Sequence, residues 1–208
     1  MTKKYELLQN DTINHNGRTL YRIKAITTFG TVFAGTLGGY IEKESNLKHL
    51  GNAWVYGNAK VYGNAEVYGN AKVYDNAEVY GNAKVWGSAE VYGNAEVYGN
   101  AKVHGNAKVY GNAEVYDNAE VYGNAEVRSF AVLSERKMIF WASNVGTENG
   151  TLTVYNGKDG LLVTRGCFTG TVEEFLAKSA EVHDEKTKRE YQLLIEVAKS
   201  RILDTTTE

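Results

Sequence analysis

Residues 57–74 read GNAKVYGNAEVYGNAKVY, one phrase of six residues written three times. The phrase runs from Gly51 to Arg128 as thirteen hexads of the form G-N-A-(K/E)-V-Y. Val fills its slot in every hexad, from Val55 to Val127, and Ala does the same from Ala53 to Ala125. Asn fails once, at Ser88, and Gly twice, at Asp75 and Asp117. Self-similarity at a fixed short period marks a stacked architecture in which each unit covers its neighbour's apolar face. Six is not the heptad of a coiled coil, and Gly-Asn at every sixth residue would break a helix. Inside each hexad, A-K-V-Y alternates small apolar, charged, apolar, aromatic, the period of two of a short strand with Ala and Val inward. Gly-Asn then bends the chain. Both exceptions in the Gly slot are Asp, which tolerates left-handed backbone, so the substitutions obey a turn at every sixth residue.

The order V-Y-G-N-A-E, aliphatic first and small four places later, resembles the hexapeptide pattern of left-handed parallel β-helices. The resemblance implies three hexads to each triangular coil and a left-handed sense, against the usual right-handed crossover. Thirteen hexads make a little over four coils. Ile41, Leu47 and Ala131 fall in phase with the Ala slot and Leu133 with the Val slot, which extends the rod to about five coils. At about 4.8 Å per rung its length is roughly 20–25 Å. The expected fold is therefore mainly β: a left-handed parallel β-helix over 39–134, an N-terminal β-hairpin cap over 1–38, and a C-terminal α+β cap over 135–208.

Residues three hexads apart stack, so the outward columns can be written down. One charged column is Trp54-Lys72-Glu90-Lys108-Glu126, alternating in sign; its cross-strand pairs are worth about 0.2–1 kcal/mol each. The aromatic columns are Tyr56-Tyr74-Tyr92-Tyr110, Tyr62-Tyr80-Tyr98-Tyr116 and Tyr68-Trp86-His104-Tyr122. Stacked aromatics stabilise strands, and they also offer contact area at low entropy cost. The third column alone is irregular, so Tyr68, Trp86, His104 and Tyr122 are the candidate binding residues of the rod.

The ends differ from the rod. Asn16-Gly17 sits between DTIN and RTLYRIKAITTF as a hairpin turn. Arg22 and Lys24 share one face of the second strand and, with Lys3, Lys4 and Arg18, form a candidate basic binding face. After the rod, three alternating stretches with turns at Glu148-Asn149-Gly150 and Lys158-Asp159-Gly160 predict a small antiparallel sheet. Thr171 and Glu174 have capping-box spacing for a helix. A last helix is expected over about Asp184–Leu203, with Tyr191, Leu194, Val197 and Ala198 on its apolar face. Both ends are expected to cap the open edges of the β-helix, which would otherwise invite strand pairing between chains.

Composition narrows the function classes. The net charge is −2, split as +3 over 1–38, 0 over 39–50, −3 over 51–128 and −2 over 129–208, so nucleic acid is not an expected partner. The single Cys167 excludes an internal disulfide and a multi-cysteine zinc site. No leader pattern opens the sequence and no apolar run approaches membrane length, which sets the expectation of a cytoplasmic protein without a membrane partner. No P-loop, GxGxxG, HExxH or GxSxG occurs. No cofactor, metal site or catalytic residue is expected. Many left-handed β-helix proteins are trimeric acyltransferases with a His general base, but a loop normally interrupts their coils, and none interrupts 51–128. His104 sits where ten sister hexads carry Tyr.

Both ends also carry a resemblance. GRTLYRIKAITTFGTVFAGTLGGYIEKESNL and GCFTGTVEEFLAKSAEVHDEKTKREYQLLIEVAKS are similar to segments flanking GNA-type repeats in uncharacterised phage and prophage proteins. The N-terminal segment and rod are similar to a bacterial class labelled hexapeptide acyltransferases, a label that follows the fold and not an activity. The resemblance implies a phage or prophage origin and transfers no catalytic residue; the expected function is a non-enzymatic binding protein that uses the rigid β-helix and its C-terminal domain to engage a partner and inhibit a host defence factor. Its partner would be a protein, for instance a host immune or metabolic enzyme, with a homo-oligomer as the form expected from the β-helix class. A trimeric acyltransferase is the alternative, and a structural spacer the second alternative.

Overall fold

The computed structural model describes residues 3–203; residues 1–2 and 204–208 of the two expected end pieces lie outside that range. Each hexad from Trp54 to Val127 contributes a short strand centred on its Lys/Glu-Val pair. Successive coils pair in parallel with an eighteen-residue register, Val85 opposite Val67 on one side and Val103 on the other. Three backbone donors per hexad serve the next coil. Lys60 N–H donates to Ala77 O (2.9 Å), Tyr62 N–H to Val79 O (3.0 Å) and Asn64 N–H to Gly81 O (2.7 Å). Among the described residues the three faces of this parallel β-solenoid carry five, five and eight strands, the largest including the N-terminal hairpin. The left-handed sense of the coil is carried by the hexad resemblance.

The corners follow from the Gly slot. Ala59 N–H closes a turn onto Tyr56 O (3.1 Å), with Gly57 at φ +57°. The residues replacing Gly keep that conformation: Asp75 at +59°, Asp117 at +49° and Ser129 at +62°. Inside, every repeat Val and Ala is at most 1% exposed, and each buried Val contributes about 1.5–3 kcal/mol. Outside, Asn side chains form ladders, as in Asn64 to Asn82 to Asn100 at 3.2 Å per step. Ladder bonds also join Asn52 to Asn70 and Asn106 to Asn124, and between those two steps stands Ser88. The charged columns pair as expected, Lys60–Glu78 at 2.9 Å, Lys72–Glu90 at 3.0 Å and Lys108–Glu126 at 3.1 Å.

Two expectations at the start of the rod are corrected. Ile41 and Leu47 do not continue the Ala column; they pair with Val61 and Val67 and so belong to the Val column. The first coil is two residues longer than the rest, because Leu47 pairs with Val67 while Gly51 pairs with Gly69. A bulge in the strand Leu47–Gly51 absorbs the excess. Trp54 does occupy the charged column but is fully buried. The N-terminal segment lies over it, with the Phe29 ring at 5.4 Å and the Tyr5 ring at 6.1 Å, both edge-on.

The hairpin forms about its Asn16-Gly17 turn, between strands Tyr5–His15 and Arg18–Ala25. It is continuous with the rod: Arg18–Ala25 pairs antiparallel with Leu37–Ile41, which pairs in parallel with the first hexad strand of that face. Polar side chains seal this end. The Tyr5 hydroxyl reaches Leu47 O (2.7 Å) and Glu44 O (2.9 Å). The fully buried Asn46 donates to Ala65 O (2.8 Å) and Gly63 O (3.2 Å). Lys4, 4% exposed, donates to Ala53 O (2.9 Å) and Gly51 O (3.2 Å).

The C-terminal part is a sandwich: rod end, sheet, helices. Its antiparallel sheet has four strands among the described residues, one more than the sequence suggests, because Phe168–Thr171 returns after a Gly166-Cys167 turn. One face of the sheet covers the last coil. Glu126 N–H donates to Thr153 Oγ1 (3.1 Å), and Arg128 N–H to the Tyr155 hydroxyl (3.3 Å). Side-chain hydroxyls thus occupy ladder positions where another strand would otherwise dock. The other face packs against helices α1 (Val172–Val182) and α2 (Glu185–Ile202). The capping box at Thr171 and Glu174 forms as expected. On α2 the buried stripe is Tyr191, Ile195, Ala198 and Ile202, whereas Val197 is 46% exposed. The expected face was rotated by part of a turn.

Candidate functional site

The third aromatic column stands as a stack of parallel rings. Tyr68 lies 5.7 Å from Trp86, Trp86 4.2 Å from His104, and His104 5.5 Å from Tyr122. Eighteen-residue register places each ring above the last, so the four candidate residues of the rod form one continuous surface. Below Tyr122, which is 46% exposed, Trp141 of the C-terminal sheet meets it edge-on at 5.6 Å. Trp141 can approach because Gly123 has no side chain; a Cβ there would lie 2.5 Å from the indole.

His104 keeps the rod's own hydrogen-bond pattern. Its Nε2 lies 3.0 Å from Glu120 Oε1. One column away, the Tyr80 hydroxyl donates to Glu96 (2.8 Å), and Tyr62 and Tyr74 donate to Glu78 (3.0 Å) and Glu90 (3.2 Å) at the same sixteen-residue offset. His104 therefore does for Glu120 what tyrosine does for the other glutamates. What is unique lies one step further: Arg136, from the turn after the rod, places Nη2 2.5 Å from Glu120 Oε2. His104, Tyr122, Arg136, Trp141 and Arg201 line a groove of about 800 Å³ between rod and C-terminal part. Arg201 comes from the end of α2, so no sequence window contains this site. A broader surface cleft, about 860 Å³, is lined by repeated corners such as Gly57, Asn58, Asn76 and Gly93, with Asp75.

The N-terminal candidates are placed differently. Arg22 is spent within the cap: it pairs with Asp11 (2.9 Å), donates to Gly38 O (2.9 Å) and Tyr40 Oη (2.5 Å), and covers the Tyr40 ring. Lys3 pairs with Glu44 and Arg18 with Glu42, both at 2.8 Å, and Lys4 is buried. The expected basic face is thus largely neutralised by acids on neighbouring strands and turns. Lys24 is half-buried on the same strand.

Electrostatics reflect the stacking. Burial, and after it the Glu78 carboxylate, pushes the Tyr62 phenol above the ordinary tyrosine range. Tyr92 and Tyr98 rise to about 12, mainly by burial. Burial pushes the Glu78 carboxyl up, but hydrogen bonds from Lys60, His15 and Tyr62 together hold it below the usual carboxylate range. Among the described residues no group of three His, Cys, Asp or Glu side chains could hold a metal ion, and no helix is long and apolar enough to cross a membrane. Compared with protein-family models and with curated proteins, the chain matches none.

Proposed function

We propose that the chain is a non-enzymatic binding protein of the phage or prophage type its repeats resemble, acting in the cytoplasm of a host cell. It engages a protein partner through the Tyr68-Trp86-His104-Tyr122 column and the groove at its foot, and inhibition of a host defence factor is the specific form of this reading. The observation that carries it is the groove itself. It joins a rigid aromatic stack to guanidinium groups from Arg136 and Arg201, and aromatic residues and Arg are the types that dominate protein-binding hot spots. The coil beneath is pre-ordered, so little entropy is lost on docking.

The test is capture of a partner from host lysate, followed by direct binding of the purified partner to single variants. Trp86→Ala and Arg136→Glu are expected to weaken binding at least about tenfold, which corresponds to about 1.4 kcal/mol. Unchanged affinity in both would overturn the reading. A second reading, the trimeric acyltransferase, has one observation in its favour: Glu120 orients His104 at 3.0 Å beside a cleft. It requires acyl-CoA binding and loss of turnover in His104→Ala. Calorimetry with no CoA heat removes it.

A further inference from the structure

A smaller cavity, about 240 Å³, lies inside the C-terminal part and is separate from the rod groove. Its wall is a run of aromatic rings: Phe168 packs on Phe175 at 5.4 Å, and Phe175 on Tyr191 at 5.1 Å. The His183 imidazole stands edge-on to Tyr191 at 5.4 Å. Ser179 and His183 lie one turn apart on α1 and at its C-terminal cap, so both face the cavity. Their polar atoms are the distinctive feature. Ser179 is 3% exposed, and neither its Oγ nor His183 Nδ1 has a hydrogen-bond partner although both atoms are buried. A buried polar group left unpaired costs about 1–3 kcal/mol. Both atoms belong to residues that line one aromatic-walled space, and a ligand there that hydrogen-bonds to them would relieve that cost.

The lining carries two cations against one acid, Glu148. Lys178 sits over the Phe168 ring at 5.9 Å, and Arg165 is held at the cavity by Tyr191 Oη (3.1 Å) and Val145 O (3.1 Å). At about 30 Å³ per water, the space holds about eight waters, which suits a single substituted ring. The geometry points to a binding site for a small aromatic acid. The ring lies against Phe168, Phe175 and Tyr191, a polar substituent meets Ser179 and His183, and the carboxylate faces Lys178 and Arg165.

Cys167 provides the readout, because it is exposed, borders the cavity and is the single cysteine of the chain. The experiment uses the full chain and follows alkylation of Cys167 by iodoacetamide in the presence of salicylate, benzyl alcohol or acetate. Salicylate is expected to slow alkylation saturably. Benzyl alcohol, lacking the carboxylate, and acetate, lacking the ring, should each be weaker by about tenfold or more, the change equivalent to about 1.4 kcal/mol. Ser179→Val fills the polar corner with methyls and should abolish protection. The exposed Lys178→Glu should do so without touching the core, which keeps the test decisive if Ser179→Val does not fold. No protection by salicylate at about 10 mM, well above a millimolar Kd, would overturn the proposal. So would equal protection by acetate, or protection that survives Lys178→Glu unchanged.

Discussion

Tyr155→Phe removes one oxygen atom from the joint between rod and cap. The Tyr155 ring is fully buried against the rod core. Its hydroxyl accepts from Arg128 N–H (3.3 Å), and it lies 3.2 Å from Arg128 O and 2.8 Å from Thr164 Oγ1. A phenol has one proton and two lone pairs. It can accept from Arg128 N–H and from the Thr164 hydroxyl while donating to Arg128 O, so every capacity is used. Phenylalanine keeps the apolar burial and strands a backbone N–H and a buried hydroxyl. At about 1–3 kcal/mol for each stranded group, and allowing for partial relaxation, the expected loss is about 2–4 kcal/mol. That is a large share of the roughly 5–15 kcal/mol that a domain commands. Urea unfolding should show a lower midpoint with an unchanged slope. The control is Tyr116→Phe on the rod surface, half-buried, whose ring stacks on Tyr98; a surface change of that kind stays within about 0.5 kcal/mol. If Tyr155→Phe costs no more than Tyr116→Phe, the cap is not held by hydroxyls on the open ladder, and the account of how the rod avoids elongation fails with it.

Three further outcomes are expected. Gly105→Ala should cost more than Gly57→Ala, as read by thermal unfolding. Both glycines have positive φ, worth about 1–2 kcal/mol to any L-residue, but a Cβ at Gly105 meets Gly123 N at 2.9 Å, whereas at Gly57 the nearest atom is 3.8 Å away. Ser88→Asn should restore the interrupted ladder between Asn70 and Asn106 and raise stability by about 0.5 kcal/mol, the lower end for a hydrogen bond; a loss of stability would contradict the ladder. Stability should pass through a maximum in alkaline solution. Burial lowers Lys4 from 10.5 to about 8, so the cost of burying its charge is present below pH 8 and is relieved between pH 8 and 10.5. The phenols of Tyr92 and Tyr98 are raised from 10.0 to about 12, so the folded state keeps protons that the unfolded chain sheds, and stability falls as pH rises from 10 through 12. Lys4→Met should remove the rising limb and leave the falling one.

The rod was legible because each hexad states the same backbone requirement again. Thirteen copies of Val and Ala fix the inward face, and the Asp residues in the Gly slot mark the left-handed backbone at the corner. The errors share a cause: parity says which way a side chain points, not what lies over it. Trp54 points outward by parity and is buried because residues far upstream fold across it. Counting back in sixes puts Ile41 and Leu47 in the Ala column, and a two-residue bulge between Leu47 and Gly51 breaks that count. The basic face was a sum of cations with no account of Asp11, Glu42 and Glu44, which come from another strand and from a turn. On α2, Val197 and Ile195 are two residues apart, and the helical pattern alone did not choose between them. The groove and the C-terminal cavity were not legible at all. The groove draws on segments from His104 to Arg201 and the cavity on segments from Thr147 to Tyr191, with no repeated spacing to mark either.

Where function can reside follows from the same regularity. A repeat that copies its surface with each coil offers near-identical chemistry along its length, whereas recognition of one partner needs unlike groups brought together. His104 at first looks like the break in the pattern. Yet its bond to Glu120 reproduces the tyrosine-to-glutamate bond of neighbouring columns, so the imidazole alone distinguishes little. The distinction comes from outside the repeat, where Arg136 takes the second oxygen of Glu120 and Trp141 closes under Tyr122. His104→Tyr and Arg136→Glu therefore separate two origins of specificity. The first restores the repeat and keeps a donor on Glu120; the second reverses a charge in the groove and leaves the stack intact. A partner that tolerates His104→Tyr but not Arg136→Glu reads the joint between rod and cap. One that rejects both reads the ring stack as well, and the rod is then part of the recognition surface rather than its support.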